Sequence, residues 1–189
     1  MSRPVLSEES VFIAENWDVV REIVQGADRL GNELKNFLLS LEADLRPLSW
    51  WGDGGSFDRW GSAQVYVSRE SWRAPNGFAL EIGIDGFSAD RVFGDGDPPC
   101  LFVWARDLRL AEKLSAKLAT RSIRGELDPK STYFVRQLVP KCPVEEAEAY
   151  FATIRKQFAE FLAFYTSIAD EIEPTIAQHL ASTSRQSAN

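Results

Sequence analysis

The segment FALEIGID, residues 78–85, decides the fold class, because its apolar residues alternate with small or polar ones. The apolar positions predicted to face the core are Phe78, Leu80, Ile82 and Ile84. A period of two is typical of a half-buried β-strand. The turn signal APNG at 74–77 and the strand-like segment 63–72 before it predict a hairpin, and hence an antiparallel sheet.

Outward from this hairpin, residues 100–106 and 132–139 predict two further strands, with a helix at 106–124 between them. Apolar residues at both ends of the chain recur at alternating steps of three and four, as in a heptad repeat. The N-terminal repeat runs from Trp17 to Leu45 and the C-terminal repeat from Val144 to Ile172. Repeats of equal length predict two long helices that pack against each other.

The predicted fold is α+β, with a four-stranded, mainly antiparallel sheet packed on a pair of long N- and C-terminal helices. The element order is α-β-β-β-α-β-α, and helices cover one face of the sheet. Gly26 and Gly31 predict a kink in the first helix, and Pro174 predicts a break in the last. A chain of 189 residues is expected to form one domain, residues 1–181, with a disordered polar tail at 182–189.

Composition favours a cytoplasmic protein with ordinary globular chemistry. Hydrophobic residues make up 44% of the chain, and no apolar run approaches the roughly 18–20 residues that span a bilayer. Cys100 and Cys142 do not suggest a disulfide framework, and we expect two buried thiols in a reducing compartment. The net charge of −7 disfavours general binding to nucleic acids or anionic membranes.

An acidic stretch, FGDGDPPC at 93–100, raises the question of a metal site. A calcium loop that began at Asp95 would need a carboxylate at its twelfth position, which Arg106 occupies. We therefore predict a turn whose aspartates accept hydrogen bonds from the loop backbone, and no metal ligand. The alternative is a metal-dependent hydrolase that uses Asp85, Asp95, Asp97 or Glu81. The length of the 86–99 loop also suggests a binding element.

Catalytic groups are scarce in this sequence. His179 is the only histidine, and its position after Pro174 predicts a surface location. Serine and cysteine nucleophiles usually need a histidine base, and zinc sites usually include histidine ligands. A single histidine at the surface disfavours both kinds of site in this chain. We expect no enzymatic activity and no cofactor.

Aromatic residues are concentrated between Trp50 and Trp104, and several flank a glycine-rich connector at 52–55. Half-exposed indoles in such a connector are typical of a partner-binding surface. The alternative is that they cap the open end of the sheet. Together with the acidic loop, the predicted partner-binding residues are Trp50, Trp51, Trp60, Phe93, Asp95 and Asp97.

Cations are concentrated in residues 106–141, which carry nine basic and four acidic side chains. On the predicted helix 106–124 they form a row beside a leucine stripe: Arg106, Arg109, Lys113, Lys117, Arg121 and Arg124. Such a row suits phosphates or an acidic partner. It is equally compatible with a solvated face, or with the acidic ends of this chain or of a second copy.

From these features we expect a non-enzymatic cytoplasmic binding or inhibitor module that recognises a protein or nucleoprotein partner. Small acidic regulators, including those of phage-host conflict, share this general profile. One alternative is a nucleic-acid-associated protein that binds phosphates through the basic helix 106–124. The other is the metal-dependent hydrolase described above. A homodimer through the heptad helices is compatible with each of them, and no membrane partner is expected.

Overall fold

The computed structural model describes residues 6–46 and 54–186, with side chains described as far as residue 183. Its helices are α1 (Glu8–Glu15), α2 (Trp17–Ser40), α3 (Ala89–Phe93), α4 (Leu108–Leu118), α5 (Ala147–Ser167) and α6 (Ala169–Gln186). Its strands are β1 (Gly55–Trp60), β2 (Gln64–Arg69), β3 (Arg73–Ala74), β4 (Gly77–Phe78), β5 (Leu80–Asp85), β6 (Cys100–Ala105), β7 (Glu126–Leu127) and β8 (Val135–Leu138). Short 3-10 helices occupy Leu41–Leu45, Glu70–Trp72 and Val144–Glu146.

Six strands form one antiparallel sheet in the order β1-β2-β5-β6-β8-β7, and β3 and β4 form a separate two-stranded sheet. The α+β class and the mainly antiparallel sheet are confirmed, but the predicted four strands were too few. The prediction missed β1 because its sequence GSFDRW shows no regular apolar alternation. It missed β7 because that strand has only two residues.

One face of the sheet carries the main core. Register places Val65 of β2 beside Ile84 of β5, and Ile82 beside Val103 of β6. Residues from α2, α4, α5 and α6 complete this cluster, as the prediction of helices on one face requires. Phe78, which we assigned to this face, is instead buried in a second cluster with Tyr66 and Phe102. It belongs to the β3-β4 hairpin, so the alternation of β5 begins only at Leu80.

The predicted long helical pair is wrong over most of its length. The first buried residue of α2 is Leu34, and contact with α5 is confined to the end of the N-terminal segment. There the Phe37 and Phe151 rings lie 4.8 Å apart, and Arg155 Nη1 donates to Asp44 Oδ2 at 2.6 Å. The preceding residues 8–29, which we call the arm, extend from the core with large apolar side chains exposed: Val11, Phe12, Ile13, Trp17, Val19, Ile23 and Val24. Leu30 is the first residue of α2 that packs against the main core.

The helix breaks also differ from those predicted. α2 runs unbroken through Gly26 and Gly31, and the break in the N-terminal segment lies at Asn16, between α1 and α2. The break near the C-terminus lies at Ile168, before the predicted Pro174, which sits inside α6. The fourth residue before Pro174, whose carbonyl a proline ring disturbs, is Asp170 inside α6, so Pro174 does not itself explain the break at Ile168. α6 continues to Gln186, through the start of the predicted polar tail.

Within the described residues, no helix is long and apolar enough to cross a membrane.

Candidate functional site

The second face of the six-stranded sheet, which we call the open face, carries the candidate site. Strand register places on it Asp58 and Trp60 of β1, Gln64 and Tyr66 of β2, Glu81, Gly83 and Asp85 of β5, Cys100, Phe102 and Trp104 of β6, and Arg136 and Leu138 of β8. Among the described residues its apolar cluster is built from strand and loop residues alone, with no contribution from a helix. This face therefore presents side chains that the main core does not use.

The aromatic cavity is a depression of about 190 Å³ on the open face, lined by Trp60, Gln64, Glu81, Trp104 and Tyr133. Glu81 comes from the interior strand β5, whereas Trp60 and Trp104 come from strands on either side of it. Tyr133 precedes β8, and its ring packs edge-on against Phe102 with centroids 5.1 Å apart. The cavity therefore has a carboxyl group among three aromatic rings.

Glu81 is the unusual member of this set, because its side chain is only 6% exposed. Burial raises the pKa of Glu81 to about 7, and the charge of Asp58 adds to the rise. Tyr66 has a pKa raised to about 12, mainly by burial and then by the charges of Glu81 and Asp58. The Glu81 carboxyl can thus change its charge near neutral pH, whereas the neighbouring phenol stays protonated.

A second depression, of about 210 Å³, lies on the other side of Tyr133 and is lined by Asp85, Cys100, Ser131, Tyr133 and Arg136. Arg136 Nη2 lies 3.7 Å from Cys100 Sγ. Burial raises the pKa of the Cys100 thiol despite this guanidinium, so the thiol stays protonated and unreactive at neutral pH. Both cysteines are free and buried, as predicted.

The structure separates the predicted partner-binding residues. Trp60 lies on the open face and is 64% exposed, whereas Trp50 and Trp51 fall outside the described residues. Phe93 is half-buried against the main core. Asp95 and Asp97 are exposed, and Asp97 lies 3.9 Å from Arg91, so the acidic loop does not join the open-face cavities. The 86–99 segment, predicted as a loop, contains the short helix α3.

Half of the basic row is engaged within the chain. Lys117 donates to the Glu171 carbonyl oxygen, and Arg121 pairs with the Glu171 carboxylate. Arg124 Nη1 donates to Glu160 Oε2 at 3.0 Å. Arg109 and Lys113 are exposed, and Arg106 is half-buried. The predicted helix 106–124 is too long, because α4 covers only Leu108–Leu118 and leaves Arg106, Arg121 and Arg124 outside it. The acidic C-terminal helices supply the partners of Lys117, Arg121 and Arg124.

The prediction of a surface position for His179 was wrong, since this residue is only 4% exposed. Its Nε2 lies 2.8 Å from Asp107 Oδ2, and Asp107 Oδ1 accepts from the Leu110 amide as the N-cap of α4. Burial alone would raise the pKa of Asp107, but these two hydrogen bonds hold it below its usual value. Because α6 continues through Pro174, His179 reaches back to α4 and clips the two helices together.

The large depression of about 630 Å³ beside this clip is also lined by Arg109, Lys113 and Thr132. The Ser182 and Thr183 hydroxyls, which also line this depression, both donate to the His179 carbonyl oxygen of their own helix. Among the described residues no group of three histidine, cysteine, aspartate or glutamate side chains is arranged to hold a metal ion.

The prediction missed Gln64 and Tyr133 and considered Glu81 only as a metal ligand. A usable signal was present in FALEIGID, where Glu81 and Gly83 alternate with the core residues and so must face away from the core. No protein-family model, curated protein or solved structure matches this chain.

Proposed function

We propose that this chain is a non-enzymatic cytoplasmic binding module, acting as a regulator or inhibitor, and that it docks a protein partner on the open face. The observation that carries the proposal is the exposed Trp60 beside a cavity that contains a buried carboxyl group. Partly exposed tryptophans next to a pocket are typical of the residues that dominate binding energy at protein interfaces.

A protein partner fits this face better than a nucleic acid. The open face has carboxyl groups at Asp58, Glu81 and Asp85, which disfavour phosphates, beside the guanidinium groups of Arg136 and of Arg73, which lies over Phe78. Three cations of the basic row already bind carboxyl or carbonyl oxygens of α5 and α6. Nucleic-acid binding through that row would compete with these contacts.

Truncation of Trp60 tests the proposal. The wild-type chain is used to capture its partner from a lysate of the source cells. The partner is then identified, purified and titrated against wild type and Trp60→Ala. We expect Trp60→Ala to weaken binding at least tenfold, as is typical on losing an anchoring aromatic residue. Val144→Ala is the control, because Val144 is 69% exposed, lies before α5 and is on neither the open face nor the arm. Equal affinities of both variants and wild type would overturn docking on the open face.

We also propose that a second copy covers the apolar stripe of the arm. Arg21 and Asp28 lie two turns apart on one flank of this stripe and are both exposed. In an antiparallel pair of arms, Arg21 of each copy lies opposite Asp28 of the other. This arrangement satisfies the rule that a two-fold interface is complementary to itself.

A charge exchange tests the dimer. We expect sedimentation equilibrium to show that Arg21→Asp weakens self-association at least fivefold, because it places two carboxylates opposite each other. Adding Asp28→Arg is expected to restore association, while Ile23→Lys with Val24→Lys abolishes it. A monomeric wild type at 100 µM, or a double variant no better than Arg21→Asp, would contradict this pairing.

A further inference from the structure

We infer that the aromatic cavity takes one organic cation, the ammonium or guanidinium head of a lysine or arginine side chain. This inference rests on the proposed function, since the cation belongs to the protein partner docked on the open face.

The first argument is the Glu81 carboxyl group, which has no protein partner among the described residues. Only 6% of Glu81 is exposed, and its side chain lines the cavity. Within residues 6–46 and 54–186 no side chain or backbone group donates a hydrogen bond to it, and no cation pairs with it. Buried carboxylates are costly unless they are paired and hydrogen-bonded. A ligand that carries a positive charge and N–H donors supplies both requirements.

The second argument is the set of rings around that carboxyl group. Trp60, Trp104 and Tyr133 line the same cavity, and the electron-rich faces of indole and phenol rings attract cations. The open face already shows this chemistry once, because the Arg73 guanidinium lies 4.9 Å from the centroid of the Phe78 ring. Aromatic rings with a carboxyl group select a cation over a neutral apolar group of the same size.

The third argument is size. A cavity of about 190 Å³ is smaller than the roughly 300–1,000 Å³ typical of pockets for cofactors and drug-sized ligands. It suits the head of one side chain and is too small for a nucleotide. Gln64, the remaining lining residue, offers an amide oxygen that can accept a further N–H group.

Cation binding should depend on pH in a defined direction. With a pKa of about 7, Glu81 is mostly neutral at pH 6 and mostly ionised at pH 8. The other titratable groups that act on it are Asp58 of β1, Tyr66 of β2 and Tyr133, and burial raises the pKa of both tyrosines further above neutrality. The affinity for a cation should therefore rise up to about tenfold between pH 6 and pH 8.

The probes are Nα-acetyl-lysine amide and Nα-acetyl-arginine amide, with the uncharged Nα-acetyl-norleucine amide as the matched neutral ligand. Each is titrated into ¹⁵N-labelled protein at pH 8 while the indole N–H resonances of Trp60 and Trp104 are followed. We expect at least one cationic probe to shift these resonances with a Kd on the order of 1 mM, about −4 kcal/mol for a single side chain. The norleucine probe should leave them in place.

Glu81→Gln is expected to weaken binding of the cationic probe at least tenfold and to abolish its pH dependence. The control Glu112→Gln, on the exposed side of α4, makes the same change of net charge and should bind as wild type. The fold of each variant is checked by the dispersion of its amide resonances.

Three results would overturn the inference: no indole shift with either cationic probe at 50 mM, equal shifts with norleucine amide, or unchanged binding in a folded Glu81→Gln protein. None of them bears on docking at the open face, which the Trp60→Ala titration tests separately. Conversely, a cation that binds while Trp60→Ala leaves partner affinity unchanged would assign the cavity to a free amine or guanidine compound and overturn its role in protein docking.

Discussion

Replacing Gly83 with alanine is expected to lower the free energy of unfolding by about 3 kcal/mol or more, because the centre of the sheet has no room for a β-carbon. A Cβ atom there would lie 2.1 Å from the Val65 carbonyl oxygen and 2.9 Å from Cζ of the Phe102 ring. One of these contacts is with backbone that is held by strand pairing, so it cannot relax cheaply. Urea denaturation followed by circular dichroism measures the change.

Gly31→Ala is the control for this substitution. A Cβ atom at Gly31 would meet nothing within 4 Å, and alanine is favoured over glycine in a helix by about 1 kcal/mol. We expect this variant to match or slightly exceed wild-type stability. If Gly83→Ala proves as stable as Gly31→Ala, the Val65 carbonyl oxygen and the Phe102 ring do not lie as close to Gly83 as described above.

Leu38→Ala should cost about 3 kcal/mol of stability, whereas Ile23→Ala should change it by less than about 0.5 kcal/mol. Both residues belong to the apolar stripe of α2, but Leu38 is fully buried in the main core and Ile23 is 65% exposed. The difference arises because α5 and the sheet reach only the end of this stripe.

This comparison is made by thermal unfolding at low micromolar concentration, where self-association of the arm contributes least. A large loss for Ile23→Ala under these conditions would mean that the arm is covered from within the chain. The prediction of a full-length helical pair would then be correct, and the exposure of the arm described above would be contradicted.

Local sequence patterns predicted the fold class correctly. They did not predict which elements pack against one another. The alternation in FALEIGID identified β5 because one buried face forces a period of two. The heptad spacing of residues 17–45 identified a helix, but an apolar stripe does not specify what covers it, and only its end from Leu34 is buried. Edge strand β1 escaped notice because an edge position with one shielded face tolerates polar residues.

The candidate site was predicted only in part, for a related reason. Trp60 was identified by the local concentration of aromatic residues. Glu81 and Tyr133 are far apart in sequence and meet only through the pairing of β5, β6 and β8. His179 was misplaced because a proline inside α6 does not end that helix, so its buried contact with Asp107 was hidden. Sequence spacing reports which residues share an element, not which elements become neighbours.

The contact between α2 and α5 has a consequence for the order in which a ribosome delivers this molecule. Most paired strands of the sheet follow one another closely along the chain, so their hairpins become available in turn as translation proceeds. Asp44 and Phe37, by contrast, wait for Arg155 and Phe151, and the ion pair spans 111 residues. The nascent polypeptide therefore cannot form this contact until Arg155 has emerged from the exit tunnel.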